Sequence, residues 1–207
     1  MILPTETFFN LPKEKKNKII EAIKKEFARV PFEEVSINKV IQDANISRGS
    51  FYMYFQDKKD MLIYILSNYR DEINSIIKES FKQNSGDIFE VFTDILNFTA
   101  EFGTAKENVA FCMNIFSDQS VYNDVLMQLG NRSRKNDCFD LFRQHTDTKS
   151  LNIQNSNDLD DIIDILISLT QKSTVDIFLY IEEKDEILKE YKNKINILKR
   201  GMLKEKL

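Results

Sequence analysis

The segment 46–55, ISRGSFYMYF, carries a close set of hydrogen-bonding side chains and no acidic residue. Ser47 can cap a helix whose first backbone N–H groups then receive a phosphate. Arg48 can reach a phosphate or a guanine edge, and Gly49 permits close approach of the backbone. Further hydroxyl donors are Ser50, Tyr52 and Tyr54. These residue types predict a short helix that enters the major groove of duplex DNA.

A helix with this role must be held rigidly by a partner helix. Phe51 and Phe55 are four residues apart and should face inward as core residues. The preceding short helix offers them a narrow apolar face, made of Val40, Ile41 and Ala44. Two short helices flanking a tight turn at residues 45 and 46 are therefore predicted.

Longer helices flank this pair. One should follow Pro12 and end at Pro31, since Ile19, Ile23 and Phe27 recur at helical spacing. Ser36 is the expected N-cap of the short helix that comes next. Asp57 can cap a fourth helix that runs to about Phe81. Lys58, at its start, is poorly placed for the helix dipole and so indicates an external anion such as a phosphate.

At these residues the chain resembles the TetR family of bacterial regulators, whose helix-turn-helix reads much like SxxxIxxxAxxSxGxxYxxFxxKxxL. The matching positions are Ser36, Val40, Ala44, Ser47, Gly49, Tyr52, Phe55, Lys58 and Met61 or Leu62. The resemblance covers roughly residues 12–80. It implies an all-α fold in which a DNA-binding helix-turn-helix domain, residues 1–57, is linked by a helix from 58 to about 81 to an effector-binding and dimerisation domain, 82–207.

The resemblance makes the helix that begins at Ser47 the recognition helix. It implies DNA contacts from Ser36, Ser47, Arg48, Gly49, Ser50, Tyr52, Tyr54 and Lys58. Met53 stands where the family often has histidine or tyrosine. That residue is therefore expected to meet a base by apolar contact, such as with a thymine methyl group.

Composition narrows the remaining classes of function. The 207 residues carry a net charge of −4, yet residues 1–60 are net +2 and the rest net −6. No apolar run approaches the roughly 20 residues of a membrane span, so a cytoplasmic protein is expected. Cys112 and Cys138 have neither zinc nor disulfide spacing and should be packed as small apolar residues. His145 is the only histidine, so no enzyme, metal site or cofactor is expected.

Aromatic and methionine residues are frequent between residues 89 and 142, outside the two final helices: Phe89, Phe92, Phe98, Phe102, Phe111, Met113, Phe116, Met127, Phe139 and Phe142. A pocket lined in this way would suit an apolar ligand. The candidate lining residues are Phe92, Met113, Phe116, Phe139, Phe142 and Phe178. The alternative for any one of them is a core position in an amphipathic helix. The polar stretch 145–158 is predicted to be a mobile loop.

The last two helices should form a homodimer interface. Apolar residues surround most of the helix predicted after residue 158, and the final helix carries them at steps of three and four. The predicted interface residues are Ile162, Leu166, Leu188, Tyr191, Ile195, Leu198 and Met202.

Three functions fit this pattern. The first is a dimeric repressor on a palindromic double-stranded DNA operator, released by a small-molecule effector. The second is a helical protein-interaction module whose helix-turn-helix is vestigial, and the mild charge of residues 1–60 keeps it open. The third keeps the DNA site but makes the chain an activator or a global organiser.

Overall fold

The computed structural model describes residues 4–116 and 137–204, without the side chains of residues 137 and 138. The described residues form helices α1 Glu6–Phe9, α2 Lys13–Arg29, α3 Ile37–Asp43, α4 Arg48–Tyr54, α5 Lys58–Gln83, α6 Ile88–Thr104, α7 Val109–Phe116, α8 Asp137–His145, α9 Asp158–Leu179 and α10 Lys184–Met202. Short 3₁₀ helices occupy Phe32–Glu34 and Ile181–Glu183. The predicted all-α fold class is confirmed. No helix in the described ranges is long and apolar enough to cross a membrane.

The chain divides into two compact units. The first combines residues 1–71 with 106–129, and the second combines 72–105 with 130–207. Helix α7 therefore shares a unit with the helix-turn-helix, although it lies far along the chain from it. Helix α5 contributes residues to both units.

The core of the first unit is built on α2, which buries Ile19, Ile23 and Phe27 completely. Helix α7 packs on the end of α2, where the rings of Phe27 and Phe111 meet edge to face at 6.3 Å. The Asn114 amide donates hydrogen bonds to the carbonyl oxygens of Phe27, at 3.0 Å, and Ala28, at 3.1 Å. The last carbonyls of a helix have no partner within it, so α7 completes the end of α2.

A buried carboxylate fixes the connection between α2 and α3. Glu26 is only 2% exposed and accepts two hydrogen bonds from Arg29, at 2.8 and 2.7 Å. It also accepts one from the backbone N–H of Ser36, at 2.9 Å. The Arg29 hydrogen bonds hold the pKa of Glu26 below its ordinary value. Ser36 is the N-cap residue of α3, as predicted, but its side chain makes no cap hydrogen bond and its backbone N–H is bound by Glu26 instead.

Replacing Glu26 by glutamine should lower the free energy of unfolding by about 1–2 kcal/mol at neutral pH, since charge-assisted hydrogen bonds are lost. The folded pKa of Glu26 is depressed, so its stabilisation is present above the unfolded pKa of about 4.3 and disappears as pH falls through the folded value. When urea unfolding is measured from pH 7 downward, the free energies of unfolding of the unsubstituted chain and of Glu26→Gln should therefore converge in acid. Glu14→Gln, with a side chain 84% exposed, is the matched control and should leave stability unchanged. A difference that stays constant with pH would contradict this role for Glu26.

In the second unit, α6 packs closely against α9. Phe178 on α9 is 1% exposed and lies directly over Gly103 on α6, where a β-carbon would come within 1.9 Å of Cε1 of the ring. Helices α9 and α10 are joined by a buried hydrogen bond of 2.7 Å between the hydroxyls of Thr170 and Tyr191. Burial raises the pKa of Tyr191 to about 12, so that hydroxyl keeps its proton at neutral pH.

Backbone hydrogen bonds join the polar stretch 145–158 to distant parts of the second unit. Its N–H groups at Asp147 and Asn152 donate to the carbonyls of Gly86, at 2.9 Å, and Met202, at 2.8 Å. The Ser150 carbonyl accepts from the N–H of residue 204 at 3.0 Å, and Leu151 is almost fully buried. The predicted mobile loop is thus corrected: its polar composition does not reveal these long-range backbone partners.

Candidate nucleic-acid interface

A tight turn joins α3 to α4. Asn45 adopts a left-handed conformation with φ of 52°, a region that asparagine tolerates better than most residues. The N–H of Ile46 closes the turn by donating to the carbonyl of Ile41 at 3.1 Å. The predicted interruption at residues 45 and 46 is confirmed.

The start of α4 is capped as predicted. The Ser47 hydroxyl oxygen accepts a hydrogen bond of 3.0 Å from the N–H of Ser50, and the two hydroxyls lie 2.9 Å apart. Phe51 and Phe55 are buried with ring centroids 5.9 Å apart, which confirms their predicted core position. Val40 on α3 and Ala44, its C-cap residue, are buried too, so α4 rests on a fixed apolar base.

The opposite face of α4 is open. Arg48 and Gly49 are exposed, Tyr52 is 46% exposed and Met53 is 57% exposed. A β-carbon at Gly49 would meet only the Ser47 hydroxyl among the described residues, at 3.9 Å. The surface around Gly49 can therefore accept another backbone closely, and a cation, a phenol and a thioether surround it.

Two predicted DNA contacts lie elsewhere. Tyr54 is buried, with its ring 5.9 Å from that of Phe8, so the chain covers it rather than leaving it on the open face. Lys58 Nζ donates to the carbonyl oxygens of Phe32 and Glu33, both at 3.0 Å, and lies 3.3 Å from the Glu33 carboxylate. This lysine has internal partners, which replace the external anion that its position suggested.

A segment before α2, missed by the sequence reasoning, supports the end of α4. Phe8 of α1 is completely buried, with its ring 4.9 Å from Phe55 and 5.1 Å from Tyr64. The N–H of Thr5 donates to the Tyr54 carbonyl at 3.1 Å, and the Thr5 hydroxyl donates to the Met53 carbonyl. We call residues 4–9 the N-terminal arm. Its sequence signal was the apolar pair at residues 8 and 9, too short to show a period.

Four of the six predicted pocket residues are buried. Phe92 and Phe142 stack at 4.7 Å, and these two rings, Phe139 and Phe178 are each at most 3% exposed. Met113 is 42% exposed and Phe116 half-buried, and both belong to the first unit with α7. The four buried rings therefore occupy core positions, the alternative considered from sequence. Met127 lies outside the described residues.

The predicted dimer residues fall into two groups. Ile162, Leu166, Tyr191 and Ile195 are buried within the chain itself, so they face its own core rather than a partner. Leu188, Leu198 and Met202 are half-buried. The more exposed apolar side chains of the same region are Ile165, Leu179, Tyr180 and Ile197. A regular apolar seam in sequence does not distinguish an internal helix contact from one between subunits.

The cysteine prediction holds where it can be seen. Cys112 on α7 is buried, and burial raises its thiol pKa to about 12, so it packs as an apolar residue. The side chain of Cys138 lies outside the described residues.

Comparison with known proteins agrees with this geometry. Residues 19–65 match the family model "Bacterial regulatory proteins, tetR family", and residues 87–202 match "Tetracyclin repressor-like, C-terminal domain". The second match alone covers more than half of the chain.

Two bacterial regulators are similar to parts of this chain in sequence. The uncharacterized HTH-type transcriptional regulator YuxN of Bacillus subtilis is 37% identical over 60 residues, which is 29% of this chain and 21% of that protein. The HTH-type transcriptional regulator SAB2452 of Staphylococcus aureus is 26% identical over 103 residues, 48% of this chain and 54% of that protein. The chain thus matches about a fifth and about half of the length of these relatives.

A solved structure extends the likeness of fold over nearly the whole chain. Thermus thermophilus FadR, a TetR-family transcriptional repressor crystallised with lauroyl-CoA, superposes with a TM-score of 0.62 at 18% identity, covering 92% of this chain and 96% of that one. Both domain models and the open, capped α4 lead to one conclusion. The chain belongs to the TetR family and is a transcriptional regulator with an N-terminal helix-turn-helix.

Proposed function

We propose that this chain is a homodimeric repressor that binds a palindromic operator through α4 and is released by a small apolar or amphipathic ligand. The observation that carries the DNA-binding step is the open face of α4. There Arg48, Gly49, Tyr52 and Met53 form an exposed strip free of acidic residues, on a helix whose other face is locked into the core. Such a helix can enter the major groove without rearranging.

Dimerisation follows from the requirements of a palindrome. Two recognition helices must reach half-sites about 34 Å apart, which a two-fold dimer provides. Exposed apolar side chains on α9 and α10 support this contact: Ile165 is 44%, Leu179 43% and Ile197 59% exposed. We assign these exposed side chains to the contact with the partner subunit, and the half-buried Leu188, Leu198 and Met202 remain candidates for it.

The second unit is assigned to the effector. Its match to the C-terminal domain model and the lauroyl-CoA bound by the similarly folded FadR support an amphipathic ligand with an acyl chain. A ligand entering among the stacked rings of Phe92 and Phe142 must displace them, which would link occupancy to the packing of α6 against α8.

Fluorescence anisotropy with a labelled palindromic duplex, enriched from a random-sequence library, tests the proposal. We expect tight binding that weakens steeply with salt and falls at least tenfold in Arg48→Ala, because a direct base or phosphate contact is lost. Arg200→Ala, an exposed arginine at the end of α10, is the control and should bind normally. Equal affinity for a scrambled duplex would exclude operator recognition, and no binding to any duplex would favour the protein-interaction module.

Two further measurements separate the parts of the proposal. Sedimentation should show a dimer, which an exposed charge at Ile197→Glu should weaken without unfolding the chain. Lauroyl-CoA added to the operator complex should release the duplex, and release by no acyl compound would overturn the ligand class alone.

A further inference from the structure

Arg48 is held in place by side chains from both short helices. Its Nη1 donates to Oδ1 of Asn38 on α3 at 3.0 Å, and its Nη2 lies 3.4 Å from the hydroxyl of Tyr52 on α4. The guanidinium carbon is also 5.6 Å from the centroid of the Tyr52 ring. Arg48 is thus oriented by contacts with both α3 and α4, although Arg48, Asn38 and Tyr52 are all exposed.

The two side chains that contact Arg48 are neutral. An amide oxygen and a phenol orient the guanidinium without cancelling its charge, whereas a carboxylate would compete with DNA for it. Other basic side chains nearby form ion pairs with a carboxylate: Asp43 on α3 is paired with Lys25 at 3.0 Å and with Lys39 at 3.1 Å. Arg48 therefore differs from these lysines in keeping its charge available at the surface.

The contacts with Asn38 and Tyr52 leave enough N–H donors on Arg48 for base recognition. A guanidinium has five N–H groups, and the two contacts described engage two of them. Three remain, and a guanine needs two, one to O6 and one to N7. A long side chain that is already oriented loses less conformational freedom when it binds, and it rejects a base that cannot accept both bonds.

We propose that Asn38 is a specificity-determining residue, which together with Tyr52 positions Arg48 to read one guanine in each half of the operator. The inference rests on the proposed DNA-binding function and adds to it the base that is read and the residue that enforces the reading. Asn38 acts through Arg48, so its removal should change discrimination at one base pair more than overall affinity.

The test is a set of duplexes in which each G·C pair of the enriched palindrome is replaced symmetrically in both halves. The unsubstituted chain should lose roughly tenfold or more in affinity at one such pair, and Arg48→Ala should abolish the contrast at that pair alone. Asn38→Ala should still bind the palindrome but show a contrast reduced several-fold at the same pair. Asn38→Asp should bind Arg48 as an ion pair and remove the contrast.

Asn17→Ala, the same change at an exposed position of α2, is the matched control and should leave the profile intact. An Asn38→Ala profile identical to that of the unsubstituted chain would overturn the inference, as would an equal loss of affinity on every duplex. Equal affinity of the unsubstituted chain for palindrome and scrambled duplex would instead overturn the proposed function, and the inference with it. The two failures are therefore distinguishable.

Discussion

Gly103→Ala should lower the free energy of unfolding by about 3 kcal/mol, the upper part of the usual range for overpacking a core. The added methyl group would lie 1.9 Å from Cε1 and 2.4 Å from Cζ of Phe178. That ring is rigid and buried, so α6 and α9 must move apart to admit the methyl. At roughly 2–4 °C per kcal/mol for a chain of this size, the midpoint of thermal unfolding should fall by roughly 6–12 °C.

Gly201→Ala is the matched control, because both glycines are helical and a β-carbon at Gly201 meets no described atom within 4 Å. There alanine should raise stability by about 0.5–1 kcal/mol, since glycine is the poorer helix former. Combining Gly103→Ala with Phe178→Leu should recover part of the loss. If Gly103→Ala melted at the temperature of the unsubstituted chain, the close packing of α6 on α9 would be wrong.

Phe8→Ala should cost about 3–5 kcal/mol of stability in the first unit, the usual loss when a fully buried phenylalanine is truncated. The ring lies among Tyr54, Phe55 and Tyr64, and so anchors the end of α4 to the start of α5. Operator affinity should fall as well, because α4 loses the support that fixes its direction. Denaturant unfolding and anisotropy on the same samples measure both effects.

The neighbouring Phe9 provides the control for this change. It is 46% exposed, with its ring at the edge of the same cluster, 5.9 Å from Phe8 and 6.1 Å from Tyr64. Phe9→Ala should therefore change stability by less than about 1 kcal/mol. Equal losses in the two variants would contradict the anchoring role assigned to the buried ring of Phe8.

Local chemistry made the helix-turn-helix predictable. The cap at Ser47, the inward Phe51 and Phe55 and the turn at Asn45 each depend on residues a few positions apart. Helical spacing and capping preferences act over such distances, so the sequence contains nearly all of the relevant information.

Contacts between distant residues were not predictable in the same way. Lys58 was predicted to bind an external anion from its position at a helix start, whereas its actual partners, Phe32 and Glu33, lie 26 and 25 positions earlier. Tyr54 was assigned to the open face by its hydroxyl, whereas the N-terminal arm covers it. The Asn114 bond to Phe27 spans 87 positions, and no periodicity could have indicated it.

Apolar patterns in the second unit were ambiguous for another reason. A buried phenylalanine has the same sequence signature whether it faces a ligand or another ring, so Phe92 and Phe142 could not be assigned before their stacking was known. The same holds for Tyr191 and Ile195, whose spacing suited a subunit interface but whose side chains the chain buries itself.

The N-terminal arm also determines which residues a stable fragment containing the helix-turn-helix must include. The N-terminal family-model match begins at residue 19, yet Phe8 completes the apolar cluster and Thr5 donates to the last carbonyls of α4. A minimal fragment trimmed to residues 19–65 would expose that cluster to water and also lack the cap that α7 places on α2. The residues that pack into the first unit therefore extend beyond those that match the N-terminal family model.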